Sequence, residues 1–156
     1  GLGPAKATTI AAAFELGRRA ALEAGGVQVA VTTPAEIVRL LQPEMELLQQ
    51  EELRLLILDT KHHVIASSML YRGTVSAAPG RVAEVFREAV RRGAAKVALA
   101  HNHPSGDPAP SGDDIAFTRE LVQAGRLMDI EVLDHVVIGR DGHFSFAEHG
   151  LIGKEA

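Results

Sequence analysis

Two histidines, His101 and His103, are separated by one residue and follow a short apolar run at residues 96–100. The run is too short for a helix and predicts a buried strand that ends at His101. Because alternate side chains of an extended backbone point to the same side, both imidazoles can face one point in space. A metal ion could bind at that point.

A carboxylate follows at a spacing that could complete such a site. Residues 104–110 hold three prolines and a glycine, so the chain can turn sharply there but cannot continue the strand. Ser111 then begins an amphipathic helical pattern with Asp114 in its first turn. Two imidazoles and one carboxylate are ligands that zinc accepts, and three of them leave the fourth tetrahedral position for water. The pattern predicts a catalytic zinc bound by His101, His103 and Asp114.

Each part of this pattern also has a simpler interpretation. Ser111 and Asp114 fit a helix start in which the serine caps the helix and the aspartate is its third helical residue, and such a start needs no metal. A pair of histidines at a strand end is often structural. The combination favours a metal, because a capped helix places the Asp114 carboxylate at its start and the turn brings that start back over the strand end.

The composition limits the other possibilities. At 156 residues and 46% hydrophobic, the chain can bury one core and a small appendage. Its net charge of -4 provides no general attraction to nucleic acid. The sequence has no cysteine, which excludes a thiolate zinc site and fits a cytoplasmic setting. No apolar run approaches the ~18 residues that span a membrane, so we expect no membrane partner.

Periodicity and turn residues predict an α/β domain at residues 27–156, preceded by a helical segment and linker at residues 1–26. Helices are predicted at residues 4–24, 33–43, 81–93 and 111–126, and strands at residues 51–59, 64–70, 73–76, 96–101, 130–138 and 144–146.

Two polar residues, Asp134 and His135, interrupt the apolar strand at residues 130–138. Buried polar groups are costly unless they are hydrogen-bonded. Asp134 and His135 are therefore predicted to be either a structural hydrogen-bonded pair or partners of the zinc ligands.

Taken together, the segment at residues 101–114 resembles the signature of the JAMM (MPN+) metalloprotease-like domains: His-x-His, seven residues, Ser, two residues, Asp. The run His-Asn-His-Pro-Ser-Gly-Asp-Pro-x-Pro-Ser is similar to the bacterial RadC family in particular, and the similarity extends from residue 53 to residue 151. The resemblance implies bound Zn2+ and an α/β fold in which helices flank a mixed central β-sheet, an architecture similar to that of cytidine deaminases. The sequence departs from the RadC family pattern at Ala77-Ala78 and Val82-Ala83, which lie outside the metal signature.

The first 26 residues resemble the turn and second helix of a helix-hairpin-helix unit whose first helix would precede residue 1. In an intact unit, the glycine turn exposes backbone N–H groups to a DNA phosphate. We therefore expect that the chain is cut from a longer protein and that the full-length protein associates with DNA. The alternative is a surface helix that packs on the main domain.

Three functions remain open at this point. The leading hypothesis is a zinc hydrolase of the JAMM type that cleaves an amide or isopeptide bond of an unidentified peptide or protein, with Ser111 donating a hydrogen bond to the developing oxyanion. The second is a DNA-repair-associated DNA-binding protein or nuclease of the RadC family. The third is a metal-stabilised interaction module without turnover. The oligomeric state is not predicted.

A hydrolase also needs a general base, and two adjacent glutamates are candidates. Pleating sends Glu51 and Glu52 to opposite faces of the first strand. Glu51 shares its face with Leu53, whereas Glu52 shares its face with Arg54, which indicates solvent on that side. A carboxylate on the apolar face is desolvated, and desolvation raises its pKa toward the value that a base needs. This favours Glu51, and the resemblance to the JAMM domains places their upstream glutamate there. The alternative is that both are solvated charges.

Overall fold

The computed structural model describes residues 3–23, 29–73 and 81–153. The helices in these ranges are α1 (Pro4–Glu23), α2 (Pro34–Met45), α3 (Arg81–Arg91) and α4 (Gly112–Leu127). The strands are β1 (Glu52–Leu58), β2 (Val64–Arg72), β3 (Lys96–Asn102), β4 (Glu131–Ile138) and β5 (His143–Ser145). The strand predicted at residues 73–76 lies outside the described residues from position 74 onward.

The five strands of the described ranges form one mixed sheet in the order β2-β1-β3-β4-β5. Neighbouring strands are antiparallel except for β3 and β4, which are parallel. A parallel pair needs a long crossover connection, and α4 provides it. The predicted α/β fold, a mixed central sheet flanked by helices, is confirmed. The two predicted histidine ligands lie at the end of the central strand β3.

Helices cover both faces of this sheet. Alternate residues of β1 show the division: Leu56 and Leu58 pack with the apolar side of α2, whereas Leu55 and Ile57 pack with α3 and α4. We call these the α2 face and the α3–α4 face. Because neither face is left open to solvent, β1 and β3 are buried along nearly their whole length.

The amino-terminal helix α1 begins at Pro4, as predicted, because proline suits the first helical position. Its apolar side chains Ile10, Phe14 and Leu16 are exposed. Within the described ranges, no helix combines the length and the apolar character needed to cross a bilayer. The division of the chain at residue 26 stays a prediction.

Helix α2 begins with a capping carboxylate. Glu36 accepts hydrogen bonds from the backbone N–H groups of Thr32 and Thr33 at 2.7 and 2.9 Å. These hydrogen bonds lower the pKa of Glu36 from its ordinary 4.5 to about 2. The predicted helix start is confirmed, whereas the helix continues past Pro43, its predicted end, to Met45.

The Glu36 carboxylate should make the fold less stable in acid. Because its pKa is lower in the folded chain than in the unfolded chain, its contribution is fully present above pH 4.5 and is lost as the pH falls toward about 2. The variant Glu36→Gln should therefore melt at a lower temperature than the parent at neutral pH, and the two melting curves should converge toward pH 2. A difference that stayed constant across this range would contradict the assignment.

Candidate metal centre

His101 is fully buried in the middle of the sheet. Its backbone pairs with Leu53 of β1 on one side and with Val137 of β4 on the other. Val97 and Leu99, which precede it by four and two residues, pack on the α3–α4 face. Because side chains alternate along a strand, His101 points to that same face.

His103 lies just beyond the end of β3 in a loop that is held against the sheet. Its N–H donates to the carbonyl of Ile138 at 3.0 Å, and its own carbonyl accepts from the N–H of Gly106 at 2.9 Å. Its ring Nδ1 lies 2.9 Å from the carbonyl oxygen of Asp107. The loop packs so closely that a Cβ at Gly139 would lie 2.3 Å from the Gly106 oxygen, so position 139 requires glycine.

Asp114 is placed by the cap of helix α4. The Ser111 Oγ accepts a hydrogen bond from the Asp114 N–H at 3.1 Å, and the Asp114 Oδ2 accepts from the Ser111 N–H at 2.8 Å and from the Ser111 hydroxyl at 2.6 Å. The helix-start interpretation is therefore confirmed. It coexists with the metal interpretation, because the cap holds Oδ2 while Oδ1 faces His101.

The three predicted ligands converge on one point. The His101 Nε2 lies 3.0 Å from the His103 Nε2 and 3.3 Å from the Asp114 Oδ1, and the His103 Nε2 lies 3.6 Å from the Asp114 Oδ2. Zinc bonds of ~2.0–2.1 Å at tetrahedral angles place neighbouring ligand atoms roughly 3.3 Å apart. The distance between the two imidazoles and the distance from His101 to the Asp114 Oδ1 are close to this value, and the three residues could hold a metal.

The charges of these residues stabilise one another. Burial alone would raise the pKa of Asp114, but the neighbouring imidazoles of His101 and His103 and the hydroxyl of Ser111 outweigh it and hold that pKa well below its usual range. The Asp114 carboxylate in turn raises the pKa of His103, and the carbonyl of Asp107 adds to the effect. Asp114 is thus an anion that is ready to bind a cation.

Glu51 directly precedes β1 on the side of the sheet that carries the ligands. It is half-buried, and by alternation with Leu53 it belongs to the α3–α4 face, as predicted. Its negative charge is near enough to favour the protonated form of His103. Its backbone carbonyl accepts a hydrogen bond from the Gly73 N–H at 2.9 Å. Its catalytic role stays a prediction.

Glu52 does not face solvent, and that part of the prediction was wrong. Its side chain is 1% exposed, and its carboxylate accepts hydrogen bonds from Arg54 at 2.7 Å and from Arg72 at 2.6 Å. Burial alone would raise its pKa, but the two guanidinium groups hold the pKa below its usual range. The side that Glu52 shares with Arg54 is covered by α2, whose Glu44 also pairs with Arg54 at 3.1 Å.

Asn102, which the sequence patterns do not single out, holds the chain on both sides of Glu51. Its Oδ1 accepts a hydrogen bond from the Glu52 N–H at 2.8 Å, and its Nδ2 donates to the Gln50 carbonyl at 3.1 Å. The side chain is 1% exposed, so these bonds satisfy a buried amide. A signal was present in the sequence, because a polar amide at the end of a buried strand needs such partners.

Asp134 and His135 have different surroundings although they are adjacent. Asp134 accepts hydrogen bonds from the N–H of His135, the hydroxyl of Ser145 and the N–H of Ala147, so it joins β4 to β5 and the following turn. Burial raises its pKa. The ring of His135 instead contacts a predicted ligand, with its Nε2 2.8 Å from the His101 Nδ1. Asp134 thus makes structural hydrogen bonds, whereas His135 contacts a predicted ligand, and its role beside a metal stays a prediction.

Similarity to known proteins agrees with this arrangement. The family model described as a RadC-like JAB domain matches residues 31–151, a range that includes the three converging side chains and Glu51. A UPF0758 protein of Chloroflexus aggregans is 48% identical over 151 residues, which cover 97% of this chain and 66% of that protein.

Two further UPF0758 proteins give the same result. Those of Roseiflexus castenholzii and Alkaliphilus oremlandii are 46% and 43% identical, and the matches cover 97% of this chain and 65% and 66% of the relatives. The chain thus spans about two thirds of the length of the curated relatives that it matches. The match over most of the chain shows that it belongs to the RadC-like JAB domain family.

Proposed function

We propose that this domain is a zinc-dependent hydrolase that cleaves an amide or isopeptide bond. The observation that carries the proposal is the convergence of His101, His103 and Asp114 at the spacing of a tetrahedral zinc, with Glu51 on the same face of the sheet. Membership of a JAB-type family supports it. Imidazole and carboxylate ligands favour zinc over the hard cations that prefer oxygen alone.

A zinc ion in this group would supply Lewis acidity, which lowers the pKa of water and polarises a carbonyl. Glu51 would accept a proton from the attacking water and deliver it to the departing amine, so that the amide or isopeptide is converted to a carboxylic acid and an amine. Glu51 suits this role because it lies near the ligands without belonging to the converging group. Asn102 would fix the backbone on both sides of it.

Ser111 would stabilise the oxyanion that forms when the carbonyl is attacked. In this structure its hydroxyl donates to Asp114 at 2.6 Å, so the O–H must rotate toward the substrate before it can donate there. The side chain is exposed, which leaves it accessible. The Asp114 Oδ2 keeps the hydrogen bond from the Ser111 N–H after that rotation.

Zinc-loaded protein should cleave at least one amide-containing probe. The test uses a ubiquitin-like isopeptide conjugate, a peptide library and duplex DNA as separate probes. We expect cleavage of the conjugate or of a peptide, loss of that cleavage in chelator, and its recovery when zinc is restored. The metal-dependent loss and recovery exclude a contaminating protease that needs no metal.

The same experiment distinguishes the alternatives. With a net charge of -4, the chain should bind DNA weakly and with steep salt dependence. Tight binding of duplex DNA at physiological salt, measured by fluorescence anisotropy, would favour a DNA-associated role instead. Bound zinc without cleavage of any amide probe would favour an interaction module.

A further inference from the structure

We propose that Thr118 and His135 position His101 by fixing which of its two ring nitrogens carries the proton. The inference deepens the proposed function and rests on the proposed metal site. An imidazole binds a metal through a nitrogen that carries no proton, so its proton must be on the other nitrogen. The hydrogen bonds behind His101 hold the proton there.

The direction of these hydrogen bonds follows from the carbonyl at their end. The carbonyl of Asp114 can only accept, so the Thr118 hydroxyl, 2.6 Å away, donates its proton to it. The Thr118 Oγ1 then accepts from the His135 Nδ1 at 2.7 Å. With its proton on Nδ1, a neutral His135 accepts at Nε2 from the His101 Nδ1–H at 2.8 Å. The His101 Nε2 is left with a lone pair, and in the metal-free chain it can accept a hydrogen bond from the His103 Nε2, which lies 3.0 Å away.

A β-bulge turns His135 toward His101. In the parallel pairing of β3 with β4, Val97 pairs with Val132 but Ala98 pairs with Asp134, so Leu133 is an extra residue. Without this extra residue, every later side chain of β4 would move to the opposite face, and His135 would point to the α2 face. The bulge therefore places the ring of His135 on the same side as the metal ligands.

The surroundings of His135 leave little room for another arrangement. His101, Thr118 and His135 are each at most 1% exposed, so water does not compete for their hydrogen bonds. The His135 ring stacks on Phe146 at a centroid distance of 5.0 Å and an interplanar angle of 11°, and Phe117 packs edge-on at 5.8 Å. These contacts fix the ring plane while the hydrogen bonds fix its protons.

A backbone carbonyl also places a proton on the Nδ1 of His103, in this case without intervening side chains. Its Nδ1 lies 2.9 Å from the carbonyl oxygen of Asp107, which can only accept, so this nitrogen carries a proton. In both ligands a backbone carbonyl therefore places a proton on Nδ1 and directs Nε2 to the metal. For His103 the carbonyl acts directly, whereas for His101 the carbonyl of Asp114 acts through Thr118 and His135.

The first test is the protonation pattern of the ring nitrogens. Histidine 15N NMR on metal-free protein at about pH 8.5, where ordinary imidazoles are neutral, should show both His101 and His135 with the proton on Nδ1. The measurement needs neither a variant nor a substrate. A proton on Nε2 of either ring would overturn the inference.

The second test removes the acceptor at Thr118. In Thr118→Val, the His135 Nδ1 has no hydroxyl partner, so the His135 proton should move to Nε2 and displace the His101 proton onto its own Nε2. Zinc affinity, measured by competition with a chelator, should then fall by ~10–100-fold, which is typical when a partner of a metal ligand is lost. Thr118→Ser, which keeps the hydroxyl, should retain the parent affinity and the parent NMR pattern.

His135→Gln provides a variant that is independent of Thr118. Its amide oxygen can accept from the His101 Nδ1–H, so its zinc affinity should exceed that of His135→Leu by a similar ~10-fold or more. Equal affinities in Thr118→Val and the parent, or in His135→Gln and His135→Leu, would contradict the role. If the parent bound no zinc, the proposed function would fail, while NMR on the metal-free chain would still decide the proton positions.

Discussion

Replacing Glu51 with glutamine should lower the rate of hydrolysis by ~10²–10⁴-fold while zinc stays bound, the range typical for loss of a general base. Glutamine keeps the size of the side chain but cannot accept a proton at neutral pH. The backbone at this position is held through Asn102 and Gly73, so the substitution should not change the fold. The measurements are kcat on the probe that the zinc-loaded parent cleaves, zinc content and the melting temperature.

The neighbouring substitution Glu52→Gln is the matched control. Glu52 lies on the α2 face, where it neutralises Arg54 and Arg72, so glutamine should lower the melting temperature and leave kcat per folded molecule nearly unchanged. Each variant thus changes a different quantity. If Glu52→Gln instead lost turnover and Glu51→Gln kept it, the assignment of the base would move by one residue.

The sequence predicted the parts of the site that depend on local geometry. His101 and His103 are two residues apart on one extended segment, and Ser111 and Asp114 are one helix cap, so neither pair needs knowledge of the rest of the chain. The order and type of the main helices and strands could also be predicted, because hydrophobic periodicity is a property of each local segment. The convergence of the histidine pair with the helix cap could be anticipated because the turn between β3 and α4 is short.

The sequence could not show which element covers each face of the sheet. Glu52 was expected in solvent because Arg54 beside it suggested an open face, yet α2 packs across that side and its Glu44 pairs with Arg54. Charged residues at a strand end are compatible with solvent and with a buried ion pair alike. Burial of Glu52 therefore depends on tertiary packing that strand alternation does not encode.

The bulge in β4 is a second feature that the sequence did not show. In a regular strand, side chains alternate between the two faces of the sheet, so Asp134 and His135 point to opposite faces. When the strand is apolar throughout, the pattern does not show which of the two points to the face that carries the ligands of β3. The extra residue Leu133 decides it, since it turns His135 toward His101. Thr118, one helical turn after Asp114, was missed because its role exists only once His135 is in place.

Removal of one converging imidazole should abolish metal binding. In His103→Ala, the remaining His101 and Asp114 provide two ligand atoms instead of three, and we expect zinc affinity to fall by more than the ~100-fold upper value for loss of a partner of a ligand. Elemental analysis after exchange against a chelator should find one zinc per parent chain and none in the variant. Because His103 lies in a loop just beyond β3, the alanine should leave the metal-free fold intact by circular dichroism.

His143→Ala is the matched control for this variant, because it removes an exposed imidazole from β5 and should retain zinc at the parent level. The comparison separates loss of a ligand from a general loss of imidazole, since histidines bind zinc weakly wherever they are exposed. Zinc retained equally by both variants would show that the metal is held elsewhere. A catalytic metal at this centre requires that His103→Ala lose both zinc and turnover. It also requires that His143→Ala retain both.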